Sequence, residues 1–173
     1  MVLSNQDSAC DFVMSWTRKK YGCWFQKIDY QKGRHFHIKP SDSSKPSFYL
    51  VYKREWLKNF SWFFPEFLNQ NPSLTGGLGE SLNMEALLRC IRLNIDYVCF
   101  IHPDSEIYVI HPAVFLKFAR KYDLVREQKR TNFYKMGDGS SNIKSVNETT
   151  FCIPKELLTK MEKGGGSIKG DTL

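Results

Sequence analysis

The most regular pattern of hydrophobic and polar residues lies between residues 76 and 111. Its first part predicts an amphipathic helix that begins near Ser81 and ends at Asn94. The hydrophobic positions of this helix recur at helical spacing and are expected to face the core: Met84, Leu87, Leu88 and Ile91. Two strands follow, at Tyr97–Ile101 and Ile107–Ile110, and both are hydrophobic at consecutive positions, which is typical of strands covered on both faces. The pattern therefore predicts a helix that leads into a central hairpin, with its turn at residues 102–106.

The part of the chain that precedes this stretch predicts one helix and three strands. The helix covers residues 4–20 and ends in three basic residues, which suits the helix dipole. The strands are expected at residues 23–30, 34–39 and 48–53. The second strand alternates, with Phe36 and Ile38 on one face and with His35, His37 and Lys39 on the other.

Shorter elements complete the prediction. An aromatic segment at residues 56–67 is followed, after the central stretch, by a helix from Pro112 to Tyr122. A last strand is expected at residues 149–153 and a short helix at residues 154–161. This order predicts an α/β or α+β fold in which a single mixed β-sheet is flanked by helices. Residues 1–162 are expected to form one globular domain, and residues 163–173 a disordered tail.

Composition limits the class of protein and its compartment. With 173 residues, of which 42% are hydrophobic, the chain is long enough for one domain with a substantial core. No hydrophobic run approaches the roughly 20 residues that span a bilayer, and the N-terminus lacks the pattern of a signal peptide. Five cysteines without a CxxC pair are expected to be buried, reduced thiols. We therefore expect a cytoplasmic protein that does not use a membrane.

The net charge of +7 favours a polyanionic partner, and nucleic acid is the commonest one in the cytoplasm. A basic strip in the C-terminal half is expected to follow phosphates: Arg120, Lys121, Arg126, Lys129 and Arg130. Further candidates for nucleic-acid contact are His35, His37, Lys39, Lys53, Arg54 and Lys58. The alternative is that these charges only solvate the surface.

The aromatic segment at residues 56–67 has two interpretations. Its rings, next to Lys53, Arg54 and Lys58, can stack single-stranded bases between cations. The alternative is a satellite hydrophobic cluster, since large aromatic side chains mostly fill cores. A third use, if part of the segment is exposed, is to dock another protein.

The order helix, three strands, helix, strand, with FYLVYKRE at the third strand, resembles the core of restriction-endonuclease-like (PD-(D/E)XK) nucleases and archaeal Holliday-junction resolvases. The resemblance covers roughly residues 5–111. It implies hydrolysis of phosphodiester bonds with Mg²⁺, which carboxylates on the second and third strands hold while a lysine activates water. Lys53 occupies the lysine position. Val51 occupies the acidic position two residues earlier, and valine cannot bind a metal ion.

Other carboxylates must therefore complete such a site. The candidates are Asp29 and Asp42 upstream, and Glu55, Glu66 or Glu80 downstream. The catalytic set that the resemblance implies is Lys53, Glu80, Glu55, Asp29 and Asp42, with Glu80 and Asp42 as the metal ligands. Because a strand-to-helix crossover returns across the sheet, Glu80 and Lys53 are expected to approach one pocket.

The sequence leaves several alternatives open. If the catalytic motif is degenerate, the chain is a non-catalytic nucleic-acid-binding module, a pseudo-nuclease without a metal cofactor. A protein–protein adaptor is a third class. The sequence does not distinguish DNA from RNA as the partner, or a monomer from a homodimer.

Overall fold

The structure of the chain is a computed structural model that describes residues 2–29, 35–58, 60–72, 77–135, 137 and 141–161. Its α-helices are α1 (Gln6–Tyr21), α2 (Phe60–Phe63), α3 (Pro65–Gln70), α4 (Met84–Arg92) and α5 (Pro112–Lys121). Its strands are β1 (Phe25–Asp29), β2 (His35–Pro40), β3 (Phe48–Tyr52), β4 (Gly79–Asn83), β5 (Tyr97–Ile101), β6 (Ile107–Ile110), β7 (Val125–Lys135), β8 (Ser141–Pro154) and β9 (Thr159–Lys160). A 3₁₀ turn at Lys155–Leu157 joins β8 to β9.

The larger sheet has six strands in the order β1-β2-β3-β5-β6-β9. Strands β3 and β5 are parallel, while the other neighbours are antiparallel. The predicted mixed sheet flanked by helices, and with it the α/β class, is confirmed. Strands β5 and β6 have the predicted bounds, and the turn between them places Ser105 at a positive φ of 70°.

Two hydrophobic clusters cover the two faces of this sheet. On one face, α1 packs its buried side chains against Phe36, Leu50 and Cys99. Helix α1 begins at Asn5, whose side chain accepts a hydrogen bond from Ser8 N at 2.8 Å. It ends at Gly22, whose φ of 68° is accessible to glycine without strain. On the other face, Val51, Val98 and Phe100 belong to the cluster that also contains buried residues of α4 and α5.

A second sheet of three strands, in the order β4-β8-β7, was not predicted. Its residues Leu82, Phe151 and Ile153 join the same cluster as α4 and α5. The described residues therefore form two sheets where one was expected. The predicted strand at residues 149–153 is the end of the longer β8, and the predicted helix at residues 154–161 is the 3₁₀ turn with β9.

The helix predicted near Ser81 begins later. Residues 79–83 form β4, paired with β8, and Asn83 caps α4 by accepting a hydrogen bond from Ala86 N at 3.0 Å. The buried face of α4 is also rotated from the predicted one. Ala86, Leu87 and Cys90 are buried, whereas Leu88 is 40% exposed. Ala86 and Cys90 are one helical turn apart and lie with Leu87 on the packed side of the helix, while Leu88 projects outside this side.

The predicted tail, residues 163–173, lies outside the described residues, and the domain limits at residues 1–162 stay a prediction. Among the helices that the structure describes, none has both the length and the hydrophobicity that crossing a bilayer requires.

Candidate functional site

Lys53 and His102 lie side by side at the carboxyl ends of the parallel strands β3 and β5. Lys53 follows the last residue of β3, and its backbone N–H donates to Ile101 O, in β5, at 2.9 Å. His102 follows the last residue of β5. In open α/β sheets, ligands bind in the crevice beyond the carboxyl ends of the strands. This end of the sheet is therefore the first place to look for a site.

Strand β4 adds Glu80 to this end of the sheet. A hydrogen bond joins Glu80 Oε1 to His102 Nε2 at 2.5 Å, and both side chains are buried, that of Glu80 being 1% exposed. The indole of Trp56 stacks on the imidazole of His102, with ring centroids 4.3 Å apart and planes 17° apart. Tyr108 meets the Trp56 ring edge-on, at 4.8 Å between centroids. Glu80 and His102 thus form a buried polar pair beneath an aromatic cover.

Lys53 and Glu80 are close enough to affect each other's protonation. Burial lowers the pKa of Lys53, while the nearby charge of Glu80 opposes that shift. Burial raises the pKa of Glu80, while the hydrogen bond from His102 and the charge of Lys53 oppose it. Each ionised group therefore depends on the other for its stabilisation. The structure brings Lys53 and Glu80 together, as the crossover argument expected, although a strand rather than a helix carries Glu80.

Glu148, in β8, is a further member of this cluster that the sequence did not indicate. Its Oε1 accepts a hydrogen bond from Asn83 Nδ2 at 2.5 Å, and its charge raises the pKa of Lys53. Glu148 lies 95 positions after Lys53 in the sequence, in a strand whose first part was not predicted. Only the pairing of β4 with β8 brings it near Lys53.

The other candidate carboxylates are not brought to Lys53. Asp42 lies in the turn before β3, so the five residues of β3, about 17 Å of extended chain, separate it from Lys53. It accepts hydrogen bonds from Ser44 N at 3.0 Å and Ser44 Oγ at 2.7 Å, and these lower the pKa of Asp42. Glu55 is exposed on the bend after β3, and Glu66 is exposed on α3.

Asp29 lies on the other face of the large sheet. It pairs with Phe36, which pairs in turn with Leu50, and directly opposed residues point to the same face. Phe36 and Leu50 belong to the cluster beneath α1. Val51 points to the opposite face, since side chains alternate along a strand. By the same alternation, Lys53, two residues after Val51, lies on the Val51 side of the sheet and not on the Asp29 side.

These positions decide whether Mg²⁺ fits the residues that the resemblance implies. Glu80 and Asp42, the expected ligands, lie at opposite ends of β3, and the Val51 side chain is buried in the core. In the part of the chain that the structure describes, no three His, Cys, Asp or Glu side chains are grouped to hold a metal ion. The implied pair of ligands is therefore not assembled around Lys53.

The two histidines of β2 have different surroundings. His35 Nδ1 is hydrogen-bonded to the hydroxyl of Tyr49 at 2.9 Å, and this hydroxyl also accepts from Arg89 Nη1 at 3.3 Å. Burial, reinforced by the charges of Lys53 and Arg89, lowers the pKa of His35 to about 4. His35 is therefore neutral at pH 7 and carries no charge for a phosphate. His37 is buried and lines a separate cavity, and Lys39 is exposed beside it.

The aromatic segment divides into a buried part and an exposed part. Phe60, Phe64 and Phe67 are buried in the core, as the satellite-cluster interpretation requires. Trp62 is 81% exposed and Phe63 is 40% exposed. The segment therefore fills part of the core and also presents two rings to solvent.

The predicted basic strip reaches this exposed part through Arg126. The guanidinium carbon of Arg126, in β7, lies 3.7 Å from the centroid of the Phe63 ring. Arg120 is exposed at the end of α5, and Lys129 is exposed on β7. Arg130 also lies in β7, but its side chain is outside the described part of the structure. The basic strip thus runs from a helix end onto a strand.

Arg54 and Lys58 are exposed on either side of Trp56, beyond the end of β3. On Trp56 itself, the ammonium of Lys155 lies 4.7 Å from the ring centroid. Lys155 was not among the predicted residues, because it lies in the segment predicted as a closing helix. One cation therefore lies on a ring in each place, Arg126 on Phe63 and Lys155 on Trp56.

No family model, curated protein or solved structure matches this chain, so its function has to be argued from these residues.

Proposed function

We propose that this chain is a nucleic-acid-binding protein with a nuclease-like core, and that it contacts single-stranded DNA or RNA through Trp62, Phe63 and Arg126. One observation carries this proposal. The guanidinium of Arg126 stacks on the ring of Phe63 at 3.7 Å, next in sequence to a Trp62 side chain that is 81% exposed. We call these three residues the stacking surface.

The chemistry of this surface suits an unpaired base. Every base has a π-face, and stacking on an aromatic side chain is worth about 1–3 kcal/mol per base. An arginine next to such a ring adds a cation for the adjoining phosphate and a plane on which a base can stack. An exposed tryptophan that binds no partner lowers the solubility of a protein, since water solvates its large hydrophobic face poorly.

The charge of the whole chain supports the same partner. The net charge is +7, and Arg54, Lys58, Arg120 and Lys129 are exposed. Their contribution to affinity comes from releasing counterions from the strand, and that contribution falls as salt is added. A cytoplasmic location is part of the proposal, because the five cysteines are free thiols, as in a reducing compartment.

Support for a nuclease-like core comes from the order and direction of its elements. Helix α1 precedes three antiparallel strands, and β5 then pairs in parallel with β3. Lys53 follows β3, where the resemblance expects the lysine. The connection from β3 to β5 contains α4, as in a strand–helix–strand crossover.

Cleavage of phosphodiester bonds is a second candidate, and the cluster of the partly buried Lys53 with the buried Glu80 and His102 favours it. A lysine whose pKa is lowered beside a carboxyl group whose pKa is raised is the kind of pair that enzymes use for proton transfer. Mg²⁺ dependence belongs to this candidate only.

The binding proposal is tested by fluorescence anisotropy with a labelled single-stranded oligonucleotide at low salt. Trp62→Ala and Arg126→Ala are each expected to weaken binding about tenfold, from the loss of one stacked base or one phosphate contact. Trp24→Ala is the matched control, because Trp24 is 63% exposed and carries Arg18 at 3.3 Å from its ring centroid, but on another part of the surface. Equal effects of Trp24→Ala and Trp62→Ala would refute the assignment of the stacking surface.

The cleavage candidate is tested on branched and single-stranded substrates with Mg²⁺ or Mn²⁺. It requires cleavage by the wild type that is lost in both Lys53→Ala and Glu80→Gln while binding is retained. Binding without cleavage by the wild type eliminates this candidate and leaves the binding module. Binding of protein partners but not of nucleic acid would instead favour the adaptor.

A further inference from the structure

A polar cavity lies at the opposite end of the large sheet from Lys53. It has a volume of about 310 Å³ and opens between the β1–β2 edge and the segment that joins α4 to β5. The polar residues that line it are His37, Lys39, Ser43, Lys45, Ser47, Asn94 and Asp96. This volume is at the lower end of the range for small-molecule pockets, roughly 300–1,000 Å³, and it suits a ligand of few rings rather than a duplex.

One wall of the cavity is fixed by the Ser47–Asp96 pair. Asp96 Oδ2 accepts from Ser47 N at 2.8 Å and from Ser47 Oγ at 3.1 Å, while Asp96 N donates to Ser47 Oγ at 3.2 Å. These contacts hold the carboxylate at the start of β5. Next to it, Asn94 has a φ of 53°, a left-handed conformation that asparagine tolerates. A carboxylate held in this way, with an amide next to it, can recognise hydroxyls and amino groups of a ligand.

Two lysines also line the cavity. Lys39 is exposed on β2, and Lys45 is partly buried in the turn before β3. The buried His37 is a further lining residue. Burial and the charge of Lys39 lower the pKa of His37, while Asp96 opposes the shift. The positive charge of the cavity at pH 7 therefore comes from the two lysines.

Hydrophobic side chains complete the lining. Ile28, in β1, and Leu93, at the end of α4, line the same cavity. A ligand that fits these walls has an anionic end for two lysines, a flat or apolar body for Ile28 and Leu93, and donors for Asp96. A nucleoside monophosphate has these three parts, namely a phosphate monoester, a base with a planar face, and ribose or base donors.

We infer that this cavity binds a nucleoside monophosphate unit, with the phosphate at Lys39 and Lys45 and the nucleoside against Leu93 and Asp96. The unit can be a free nucleotide or the 5′-terminal nucleotide of an oligonucleotide, and the two share the phosphate monoester. The free-nucleotide form is independent of the stacking surface. The oligonucleotide form rests on the proposed function.

The full chain is titrated by calorimetry with a nucleoside 5′-monophosphate, with the matching nucleoside and with inorganic phosphate. We expect the monophosphate to bind at least about tenfold more tightly than either part alone. Lys45→Ala is expected to weaken it about tenfold or more, whereas Lys19→Ala, which removes an exposed lysine of α1 outside the cavity, leaves it unchanged. Absence of monophosphate binding to the folded wild type, or equal loss in Lys45→Ala and Lys19→Ala, overturns the inference.

A second comparison separates the two sources of the monoester. If the terminal nucleotide is the ligand, a 5′-phosphorylated oligonucleotide binds about tenfold more tightly than its 5′-hydroxyl form, and Lys45→Ala removes the difference. If free nucleotide binds but 5′-phosphorylation has no effect, the ligand is the free nucleotide. If no oligonucleotide binds at all, the proposed function fails, while the cavity is still judged by the titration with monophosphate.

Discussion

Replacing Glu80 tests the buried cluster at the carboxyl ends of β3 and β5 most sharply. The carboxylate is 1% exposed and is hydrogen-bonded to His102 at 2.5 Å. Glu80→Ala removes the partner of His102 and the countercharge of Lys53. Deleting one partner of a buried ion pair costs about 3–5 kcal/mol. Glu80→Gln keeps the shape and an oxygen that can accept from His102, but it also removes the countercharge of Lys53, so its cost should lie between that of one hydrogen bond, about 1 kcal/mol, and that of Glu80→Ala.

The assay is urea denaturation of each variant at pH 7, with linear extrapolation to water. Glu85→Ala is the control, because Glu85 is exposed in the first turn of α4 and should contribute less than about 1 kcal/mol there. If Glu80→Ala fails to fold, Glu80→Gln alone still carries the test through its pH dependence. Equal costs for Glu80→Ala, Glu80→Gln and Glu85→Ala would refute the described cluster.

The pH dependence has a definite sign. Burial raises the pKa of Glu80 above its usual 4.5, so the folded chain binds this proton more tightly than the unfolded chain. Its contribution to the free energy of unfolding therefore falls as the pH rises above 4.5. Glu80→Gln lacks this titration, so the wild type should lose stability relative to Glu80→Gln between pH 4.5 and 7. A relative gain over that range would contradict the burial argument.

Three further stability predictions use the same denaturation assay. Leu87→Ala should lower the free energy of unfolding by about 2–5 kcal/mol because Leu87 is fully buried, whereas Leu88→Ala, at a 40% exposed site, should lower it by less than about 1 kcal/mol. Equal losses would mean that the buried face of α4 is wrongly described. His35 has a pKa of about 4 in the folded chain and 6.5 in the unfolded chain, so the free energy of unfolding should fall by up to about 3 kcal/mol as the pH falls from 6.5 to 4. In His35→Gln, which does not titrate here, this fall should be smaller. Gly79→Ala should lower the free energy of unfolding by about 1–3 kcal/mol, because a Cβ there would lie 2.5 Å from Ile153 O. An unchanged free energy of unfolding would show that β4 and β8 are farther apart.

The elements that the sequence predicted are those whose local pattern and buried environment agree. Strands β5 and β6 are hydrophobic at consecutive positions because the large sheet is covered on both faces, and the sequence shows this directly. Pro112 begins α5, where its missing N–H is not needed. Such positions are specified by a few neighbouring residues.

The second sheet could not be predicted because its strands depend on pairing between distant residues. Strand β4 contains Glu80 and Asn83, which a local pattern assigns to a helix start, and β7 reads as a polar, basic segment. Each becomes a strand only against β8. Since β4 and β8 supply Glu80 and Glu148, both carboxylates near Lys53 depended on the part of the fold that the sequence did not indicate.

His102 was missed for a related reason. Its position before Pro103 and Asp104 is sufficiently explained by a turn, and the turn is present. The turn backbone says nothing about the imidazole, which reaches Glu80 and stacks on Trp56. The approach of Lys53 to Glu80, by contrast, was expected from a helical crossover, although the structure places Glu80 on β4.

The measurement that tests the proposed function most directly is the affinity of the wild type for a single-stranded oligonucleotide as a function of salt. For single strands, the slope of log K against log salt is about −0.7 for each phosphate that the protein neutralises. We predict a slope of about −2, from roughly three phosphate contacts, which becomes shallower by about 0.7 in Arg126→Ala. Affinity that does not change with salt, or no binding at low salt, would contradict the proposal that this chain binds nucleic acid.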